Sequence, residues 1–313
     1  TDSAGRDLCL RPDITIPVCR AHIEKKSDSA ANYCYLGSIF RDRGGGSGEY
    51  LQAGIEQLGR EDKSAADAEC LALAFETARH YGITVPAIRM GDVGMFSALV
   101  AALKLPPAWQ RRLLKDFNRT GTLEADLANL RNKSGPRAAH AGVLAALEGS
   151  DPKAARAFVT DILSIAGISA VGGRTAEEIA ERFLEQSSRG AASGLDPDAA
   201  NVLEQYLRIA GDPDEALTAL RTLASEAKLD LSAALDTFEQ RTGFIAAEGI
   251  DVAKIRFATA FGRALDYYSG MVFELYDPAE RVNWPLVAGG RYDNLMTLLG
   301  NETPVAAVGF AAW

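Results

Sequence analysis

The chain has 313 residues, of which 47% are hydrophobic and 24% charged, and its 33 Lys and Arg against 42 Asp and Glu give a net charge of −9 at pH 7. These values are typical of a globular protein of about two domains, so they exclude a mainly disordered chain. The acidic pI, near 5.0, argues against a protein whose main work is to coat nucleic acid.

The first part of the chain is predicted to contain short strands. Runs rich in apolar and aromatic residues cover Asp7–Leu10, Tyr33–Phe40 and Gln52–Leu58, and the glycine-rich run Gly44–Gly48 separates the last two. The alternation of apolar and polar residues favours strands with one buried face.

A helix follows these strands. Ser64 and Asp67 have the spacing of a capping box, small and apolar residues then recur on one face, and Gly82 marks the end. Ile83–Met90 is predicted to be a further strand, with Pro86 at a sheet edge or a bulge.

Helices dominate the middle of the chain, from about Asp92 to Gln240. Three segments start with an aspartate at the N-cap and a proline at the first helical position: Asp151-Pro152, Asp196-Pro197 and Asp212-Pro213. We therefore expect residues 92–240 to form a helical insertion between two halves, 1–91 and 241–313, of one mixed domain.

The last part of the chain returns to strands. Apolar residues alternate from Ile255 to Thr259, Asp266–Tyr276 is dense in aromatic and β-branched residues, and a glycine pair leads into a short helix near Asp293–Leu299. A single sheet built from both ends of the chain places the protein in the α+β class.

One strand carries polar residues on a face that a core would fill with apolar ones. Because successive strand residues point to opposite faces, Gln52, Gly54 and Glu56 share one side, and the glycine is expected to leave open volume between the amide and the carboxylate. This pattern predicts the floor of a small-ligand site. The alternative is a set of ordinary buried ion pairs and tyrosine hydrogen bonds.

Other polar residues fit the same ligand site. A zwitterionic amino acid needs a carboxylate and a hydroxyl for its ammonium group, a guanidinium for its carboxylate, and further partners for its side chain. These groups are available from Asp13 with Thr15, from Arg263, and from Glu56 with Tyr268.

Metal, cofactor and membrane functions have little support in the sequence. The four cysteines include no C-x-x-C pair, and only three histidines are present. The apolar stretches are too short or too interrupted for a membrane span, and the first residues lack a basic and then apolar leader. We expect no metal, no cofactor, no membrane association and a cytoplasmic location.

The order of six segments resembles a known family. LRPDIT, FRDR, EYLQAGIEQLG, RALDYYSGMVFE, AGGRYDNL and PVAAVGF follow one another between Leu10 and Phe310. This order is similar to that in the catalytic domain of histidyl-tRNA synthetases and in a non-catalytic relative, the regulatory subunit of ATP phosphoribosyltransferase. The resemblance implies a class II aminoacyl-tRNA synthetase-like antiparallel sheet flanked by helices, with a large helical insertion.

The resemblance also implies roles for individual residues. Asp13, Thr15 and Gln52 would surround the ammonium group of histidine, Asp13 standing where synthetases carry a glutamate. Arg263 would bind the carboxylate, and Glu56 and Tyr268 the imidazole. Arg41 occupies the position that holds the ATP α-phosphate in a synthetase, and with Arg43 it would form a degenerate nucleotide site.

The loop after these arginines favours the non-catalytic relative. Adenylation needs several cations around a triphosphate, whereas Gly44–Gly48 follows Arg43 without any further cation. The resemblance then implies no catalytic residues, a separate catalytic subunit as partner, self-association, L-histidine as effector, and no tRNA. The alternatives are a truncated histidyl-tRNA synthetase and a stand-alone amino-acid-binding module.

Overall fold

The structure is a computed structural model that describes residues 8–25, 29–42, 48–117 and 196–313, apart from 264, 280 and 283, together with positions 5, 157, 161, 170, 171, 174 and 175. Helices flank a sheet of eight strands. The strands are β1 (Ala31–Phe40), β2 (Glu49–Leu58), β3 (Ala87–Asp92), β4 (Ala170–Val171), β5 (Arg174–Thr175), β6 (Ala210–Gly211), β7 (Ile255–Ala258), β8 (Met271–Tyr276), β9 (Val287–Arg291) and β10 (Ala307–Ala312). The helices are α1 (Thr15–Glu24), α2 (Lys63–His80), α3 (Val93–Ala102), α4 (Pro107–Phe117), α5 (Pro197–Leu207), α6 (Pro213–Glu226), α7 (Ser232–Ala247) and α8 (Leu295–Leu298), with a 3₁₀ turn at Val252–Lys254.

The eight-stranded sheet joins both ends of the chain. Its order is β1-β2-β10-β9-β8-β3-β7-β6, and every neighbouring pair is antiparallel except β3 and β7. The hairpin of β1 and β2 pairs all ten residues of each strand, and β10, the last strand of the chain, pairs with β2. The α+β class and the shared sheet are therefore confirmed.

Helices α2 and α7 cover one face of the sheet and form the main core with it. The α2 face that contacts the sheet is built of alanine, leucine and cysteine, and Leu71 and Ala74 are fully buried. Phe238 of α7 packs edge-on against Phe257 of β7, with ring centroids 4.9 Å apart. Small side chains on α2 allow this helix to lie close to the strands.

Local helix signals were correct at two of three described positions. Asp196 and Asp212 are N-caps followed by proline, and Asp212 forms a full capping box with Glu215. The predicted capping box of Ser64 and Asp67 is wrong, because α2 begins at Lys63 and both residues lie inside it. The third aspartate-proline pair, at 151–152, lies outside the described residues.

Three strand boundaries differ from expectation. Residues 8–10 form no strand, and just beyond them the Arg11 carbonyl accepts from Phe40 N, at 2.9 Å. Strand β3 starts at Ala87, directly after Pro86, because proline has no N–H to donate to a ladder. Strand β8 starts at Met271, and residues 266–270 form a turn followed by irregular structure rather than a strand.

The described part of the predicted insertion is mainly helical. It holds α3 to α6 and the start of α7, while β6 pairs with β7 in the large sheet and β4 pairs with β5 in a small separate hairpin. Helix α7 continues past residue 240, where the domain boundary was placed. The division into domains stays a prediction.

A buried ion network ties α2 and α7 to the sheet. Arg241 of α7 contacts Asp92, at the end of β3, and lies 3.5 Å from Asp67 of α2, measured from Nη1 to Oδ2. Arg291 of β9 donates to the other oxygen of Asp67 through Nη2 at 2.7 Å. All four side chains are buried, so two cations balance two carboxylates in a region closed to water.

In the part of the chain that the structure describes, no helix combines the length and the apolar character that crossing a membrane requires.

Candidate functional site

A cleft lies over the centre of the sheet, above residues with little or no side chain. A Cβ added to Gly309 would lie 1.8 Å from Glu56 Oε2 and 2.5 Å from the carbonyl oxygen of Ile55. A Cβ on Gly290 would lie 3.0 Å from the ring of Tyr268. Glycine at these positions lets the functional side chains of neighbouring strands lie directly on the sheet.

Glu56 is the central polar group of the cleft floor. It is 1% exposed, Thr15 donates to its Oε1 at 2.7 Å, and Tyr292 donates to its Oε2. Burial raises the pKa of Glu56 to about 7, against the opposing effect of these hydrogen bonds. The carboxylate keeps further lone pairs for a ligand, because each of its oxygens can accept more than one hydrogen bond.

The start of α1 forms a second wall. The backbone N–H of Ile14 donates to Gln52 Oε1 at 3.0 Å, which attaches the helix to β2. Asp13 is buried and its contacts are long: Ile16 N lies 3.5 Å from Oδ1, and Tyr267 OH lies 3.4 Å from Oδ2. Asp13 therefore supplies a carboxylate with weak partners to the same cleft as Thr15.

Arg263 and Tyr268 form the opposite wall. Arg263 Nη1 donates to the hydroxyl oxygen of Tyr268 at 2.9 Å, and Arg263 Nε lies 3.3 Å from Glu274 Oε1. The guanidinium also lies over the Tyr268 ring, 5.5 Å from its centroid. Since Tyr268 accepts from the arginine, its own proton is available to an acceptor on a ligand.

The positively charged rim of the cleft includes Arg41. Its Nε donates to the carbonyl of Pro12 at 2.7 Å, and its guanidinium lies 5.4 Å from the ring centroid of Trp313. The second arginine of the predicted degenerate nucleotide site, Arg43, lies outside the described residues, as do residues 44–47 of the following loop.

The cleft brings together every residue that the sequence assigned to an amino-acid site. Its lining contains Asp13, Thr15, Gln52, Glu56, Arg263 and Tyr268, together with Arg41. Convergence of residues from both ends of the chain follows from the pairing of β2 with β10. The role of these residues in binding histidine stays a prediction.

The sequence analysis missed two tyrosines of the cleft. Tyr267 and Tyr292 line the cleft, where Tyr267 contacts Asp13 and Tyr292 contacts Glu56, and neither was assigned to the site from the sequence. Their rings form an edge-on pair 5.7 Å apart. The signal that could have found them is their place in the family segments: Tyr267 directly precedes the assigned Tyr268, and Tyr292 lies in AGGRYDNL.

The volume expected above Gly54 is not open. A Cβ on Gly54 would lie 2.3 Å from the hydroxyl oxygen of Tyr35, the residue paired with it on β1. The glycine therefore accommodates a tyrosine from the neighbouring strand, and the ligand space lies further along, towards β10 and β9.

Metal binding has no geometric support in the described residues. Within them, no three His, Cys, Asp or Glu side chains are grouped as a metal ion would require. The donors of the cleft are instead arranged as hydrogen-bonding groups of both signs, which suits an organic zwitterion.

Replacing Gly309 by alanine should disrupt the cleft floor. The Glu56 carboxylate could move away from the added methyl group, but the carbonyl of Ile55 belongs to the paired strand and could not. We expect a loss of about 1–3 kcal/mol in the free energy of unfolding, the usual cost of overpacking. Gly243→Ala is the control, because Gly243 lies inside α7 with nothing near its added Cβ and should gain about 0.5–1 kcal/mol. Urea denaturation measures both, and equal stability of Gly309→Ala and wild type would contradict the geometry.

The ionisation of Glu56 should make stability depend on pH. Its pKa rises from 4.5 to about 7 on folding, so between these values the folded state binds more protons than the unfolded state, and stability falls as the pH rises. Glu56→Gln cannot ionise. We expect the stability of this variant relative to wild type to increase by about 1–3 kcal/mol between pH 5 and pH 8. Denaturant unfolding at four pH values tests this, and a constant difference would mean that the carboxylate ionises normally.

Comparisons with known proteins agree with one another. The family model described as histidyl-tRNA synthetase matches residues 1–160 and 156–313. Proteins named ATP phosphoribosyltransferase regulatory subunit from Brucella canis and Brucella ovis are each 40% identical to the chain over 312 residues, which is 99% of this chain and 82% of theirs.

Two solved structures show the same fold. A structure described as an ATP phosphoribosyltransferase regulatory subunit/histidyl-tRNA synthetase from Bacillus halodurans aligns with a TM-score of 0.62 and 20% identity, over 99% of this chain and 64% of that chain. A structure of the ATP phosphoribosyl transferase (HisG:HisZ) complex from Thermotoga maritima aligns with a TM-score of 0.56 and 16% identity, over 100% of this chain and 83% of that chain. With 40% identity along almost its whole length, the chain belongs to the family of ATP phosphoribosyltransferase regulatory subunits, which share the histidyl-tRNA synthetase-like fold.

Proposed function

We propose that the chain binds L-histidine in this cleft and transmits its presence to a separate catalytic subunit of ATP phosphoribosyltransferase as feedback inhibition. The observation that carries the proposal is the pairing of a buried acceptor, Glu56, with a tyrosine donor, Tyr268, in a cleft that also holds Arg263. A neutral imidazole has one N–H and one bare nitrogen, so it matches one acceptor and one donor.

The remaining groups of the cleft suit the amino-acid backbone of such a ligand. Asp13 and the hydroxyl oxygen of Thr15 can accept from an ammonium group, and Arg263 can pair with a carboxylate. A phenylalanine side chain would occupy similar space but would offer no donor to Glu56 and no acceptor to Tyr268. Each such loss costs about 1–3 kcal/mol, so the cleft should discriminate strongly between the two amino acids.

The partner follows from the relatives. Proteins 40% identical to the chain are named regulatory subunits of ATP phosphoribosyltransferase, and a structure of similar fold is described as a HisG:HisZ complex. In this role the chain takes no part in the chemistry and assembles with a catalytic subunit that starts histidine biosynthesis. Inhibition requires histidine to bind one state of the complex better than the other, and a coupling of about 1–3 kcal/mol is enough. Self-association and a cytoplasmic location stay predictions.

Calorimetric titration of the purified chain tests the ligand. We expect saturable binding of L-histidine and no detectable heat with L-phenylalanine at the same concentrations, because the ring nitrogens are the groups being recognised. Titration with the catalytic subunit then tests assembly, and activity of the mixture against histidine concentration tests inhibition. Equal binding of both amino acids, or of neither, would contradict the assignment of the cleft.

The family model also allows an aminoacyl-tRNA synthetase, and pyrophosphate exchange separates the two functions. We expect no histidine-dependent exchange, since the sequence after Arg43 offers no further cation to a triphosphate. We also expect tRNA to bind no better than another polyanion of equal length. A stand-alone binding module would bind histidine without the catalytic subunit co-purifying from the native organism.

A further inference from the structure

A row of charged side chains crosses the sheet from the cleft towards β7. Ala288 of β9 lines the cleft, and the residues in register with it on the next three strands are Glu274 of β8, Arg89 of β3 and Arg256 of β7. Residues in register on neighbouring strands share one face of a sheet. The row therefore lies on the same face as the cleft.

The two arginines at the end of this row lack a counterion in the described part of the chain. Arg89 and Arg256 are exposed, and neither forms an ion pair with another described residue. Glu274 is engaged elsewhere, because Arg263 Nε lies 3.3 Å from its Oε1 and the hydroxyl of Tyr276 donates to its Oε2 at 2.6 Å. Like charges directly opposite each other destabilise a sheet, so two carboxylates from outside the chain would relieve this repulsion.

Aromatic rings hold the guanidinium of Arg89 in place. It lies 4.9 Å from the ring centroid of Phe261 and 5.8 Å from that of Tyr276. Phe261 can cross β3 because Gly91 has no side chain, and a Cβ there would lie 2.1 Å from the Phe261 carbonyl oxygen. A guanidinium stacked on rings keeps the N–H groups at its edge for an acceptor. Arginine, tyrosine and phenylalanine are also enriched in protein interfaces.

The charge of this surface indicates the kind of partner that it fits. A planar guanidinium suits a carboxylate, so two neighbouring arginines fit an acidic protein surface. A second copy of the chain fits poorly, because its net charge is also −9. A twofold contact centred on the row would in addition place the arginines of one copy against those of the other.

We propose that Arg89 and Arg256 bind carboxylates on the surface of the catalytic subunit, so that this part of the sheet is a contact surface of the complex. This inference rests on the proposed function. The surface is joined to the cleft, because Arg263 contacts Glu274, and Glu274 accepts from Tyr276, whose ring lies beside Arg89. A change at Arg263 on ligand binding can therefore reach the partner through side chains in contact.

Three charge reversals test this surface. Arg89→Glu and Arg256→Glu each replace a cation of the row by an anion. Arg79→Glu is the matched control, since Arg79 is 50% exposed and lies on α2, which covers the other face of the sheet. Calorimetric titration with the catalytic subunit gives the dissociation constant of each complex. Titration of each chain alone with L-histidine shows whether the variant keeps its fold.

We expect Arg89→Glu and Arg256→Glu each to raise the dissociation constant for the catalytic subunit by about tenfold or more, because like charges then face each other across the contact. Arg79→Glu should stay within about threefold of wild type. The double variant Arg89→Ala with Arg256→Ala adds no charge. Its affinity should be lower than that of wild type and should depend less on the NaCl concentration.

The double alanine variant decides the question if a charge reversal abolishes histidine binding, which would indicate a misfolded chain. The inference is overturned, while the proposed function stands, if wild type assembles and these variants assemble as tightly, or if Arg79→Glu weakens assembly equally. Sedimentation of the chain alone tests for a contact between copies. Variants that separate copies of the chain but bind the catalytic subunit normally would also overturn the inference. If wild type does not bind the catalytic subunit, the proposed function fails together with the inference.

Discussion

Replacing Arg241 by methionine is expected to lower the free energy of unfolding by about 3–5 kcal/mol, the largest single effect that we predict for stability. Arg241 is 3% exposed and contacts Asp92 and Asp67, both also buried. Asp67 keeps Arg291 as a partner, but Asp92 loses its ion-pair partner. A buried carboxylate without a cation cannot recover its hydration, so the loss in the free energy of unfolding exceeds that of an ordinary lost contact.

An exposed ion pair between α6 and α7 provides the control. Arg221 of α6 contacts Glu239 of α7 at 2.7 Å, with side chains 49% and 55% exposed. Arg221→Met should cost less than about 1 kcal/mol, because water replaces the lost partner. Urea denaturation at one pH compares the two single variants.

A second substitution tests the reason for the large effect. Adding Asp92→Asn to Arg241→Met removes the uncompensated charge, so the double variant should be less destabilised than the sum of the two single variants. A cost for Arg241→Met near that of Arg221→Met would mean that the buried network contributes little.

Glu56→Gln is expected to weaken histidine binding by about 1.5–3 kcal/mol, which is about tenfold to a hundredfold in the dissociation constant. The variant keeps the size of the side chain and one acceptor, but it removes the charge that strengthens the hydrogen bond to the imidazole N–H. Titration at pH 8 is the sharpest test, because Glu56, with a pKa of about 7, is then mostly ionised in the wild type.

The same factor should appear in the assembled enzyme. The histidine concentration that halves the activity of the complex should rise about tenfold to a hundredfold in Glu56→Gln, each curve being scaled to its own uninhibited rate. Glu69→Gln is the matched control, since Glu69 lies on α2 and pairs with Arg60, with a side chain 42% exposed. An inhibition curve unchanged by Glu56→Gln would place the regulatory site elsewhere in the complex.

Local patterns in the sequence were sufficient to predict most helices and strands. A few neighbouring residues encode each of three features: the hairpin of β1 and β2, the aspartate-proline starts of α5 and α6, and the return to strands after residue 255. The alternation of β2 also gave the correct buried face, with Gln52 and Glu56 on it. These features depend on backbone geometry and on capping, which act over one or two turns.

The role of Asp67 could not be predicted from neighbouring residues. The spacing of Ser64 and Asp67 is that of a capping box, but the same carboxylate is needed by two arginines that lie 174 and 224 positions away. In the structure the N-cap of α2 is Asp62, two residues before Ser64, and Asp67 lies inside the helix, where it pairs with the two buried arginines. No local signal distinguishes the two uses of an aspartate.

The sequence by itself determined the fold class, the strands that carry the cleft and, through its family resemblance, the six residues assigned to an amino-acid ligand. Only the tertiary structure decided how these residues are paired: Tyr35 fills the space above Gly54, Tyr292 donates to Glu56, and the Gln52 oxygen accepts from Ile14. The physical reason is that strand alternation fixes the face of a side chain, whereas its hydrogen-bond partner comes from another strand or helix. The partner is set by long-range packing, which the residues near it in the chain do not specify.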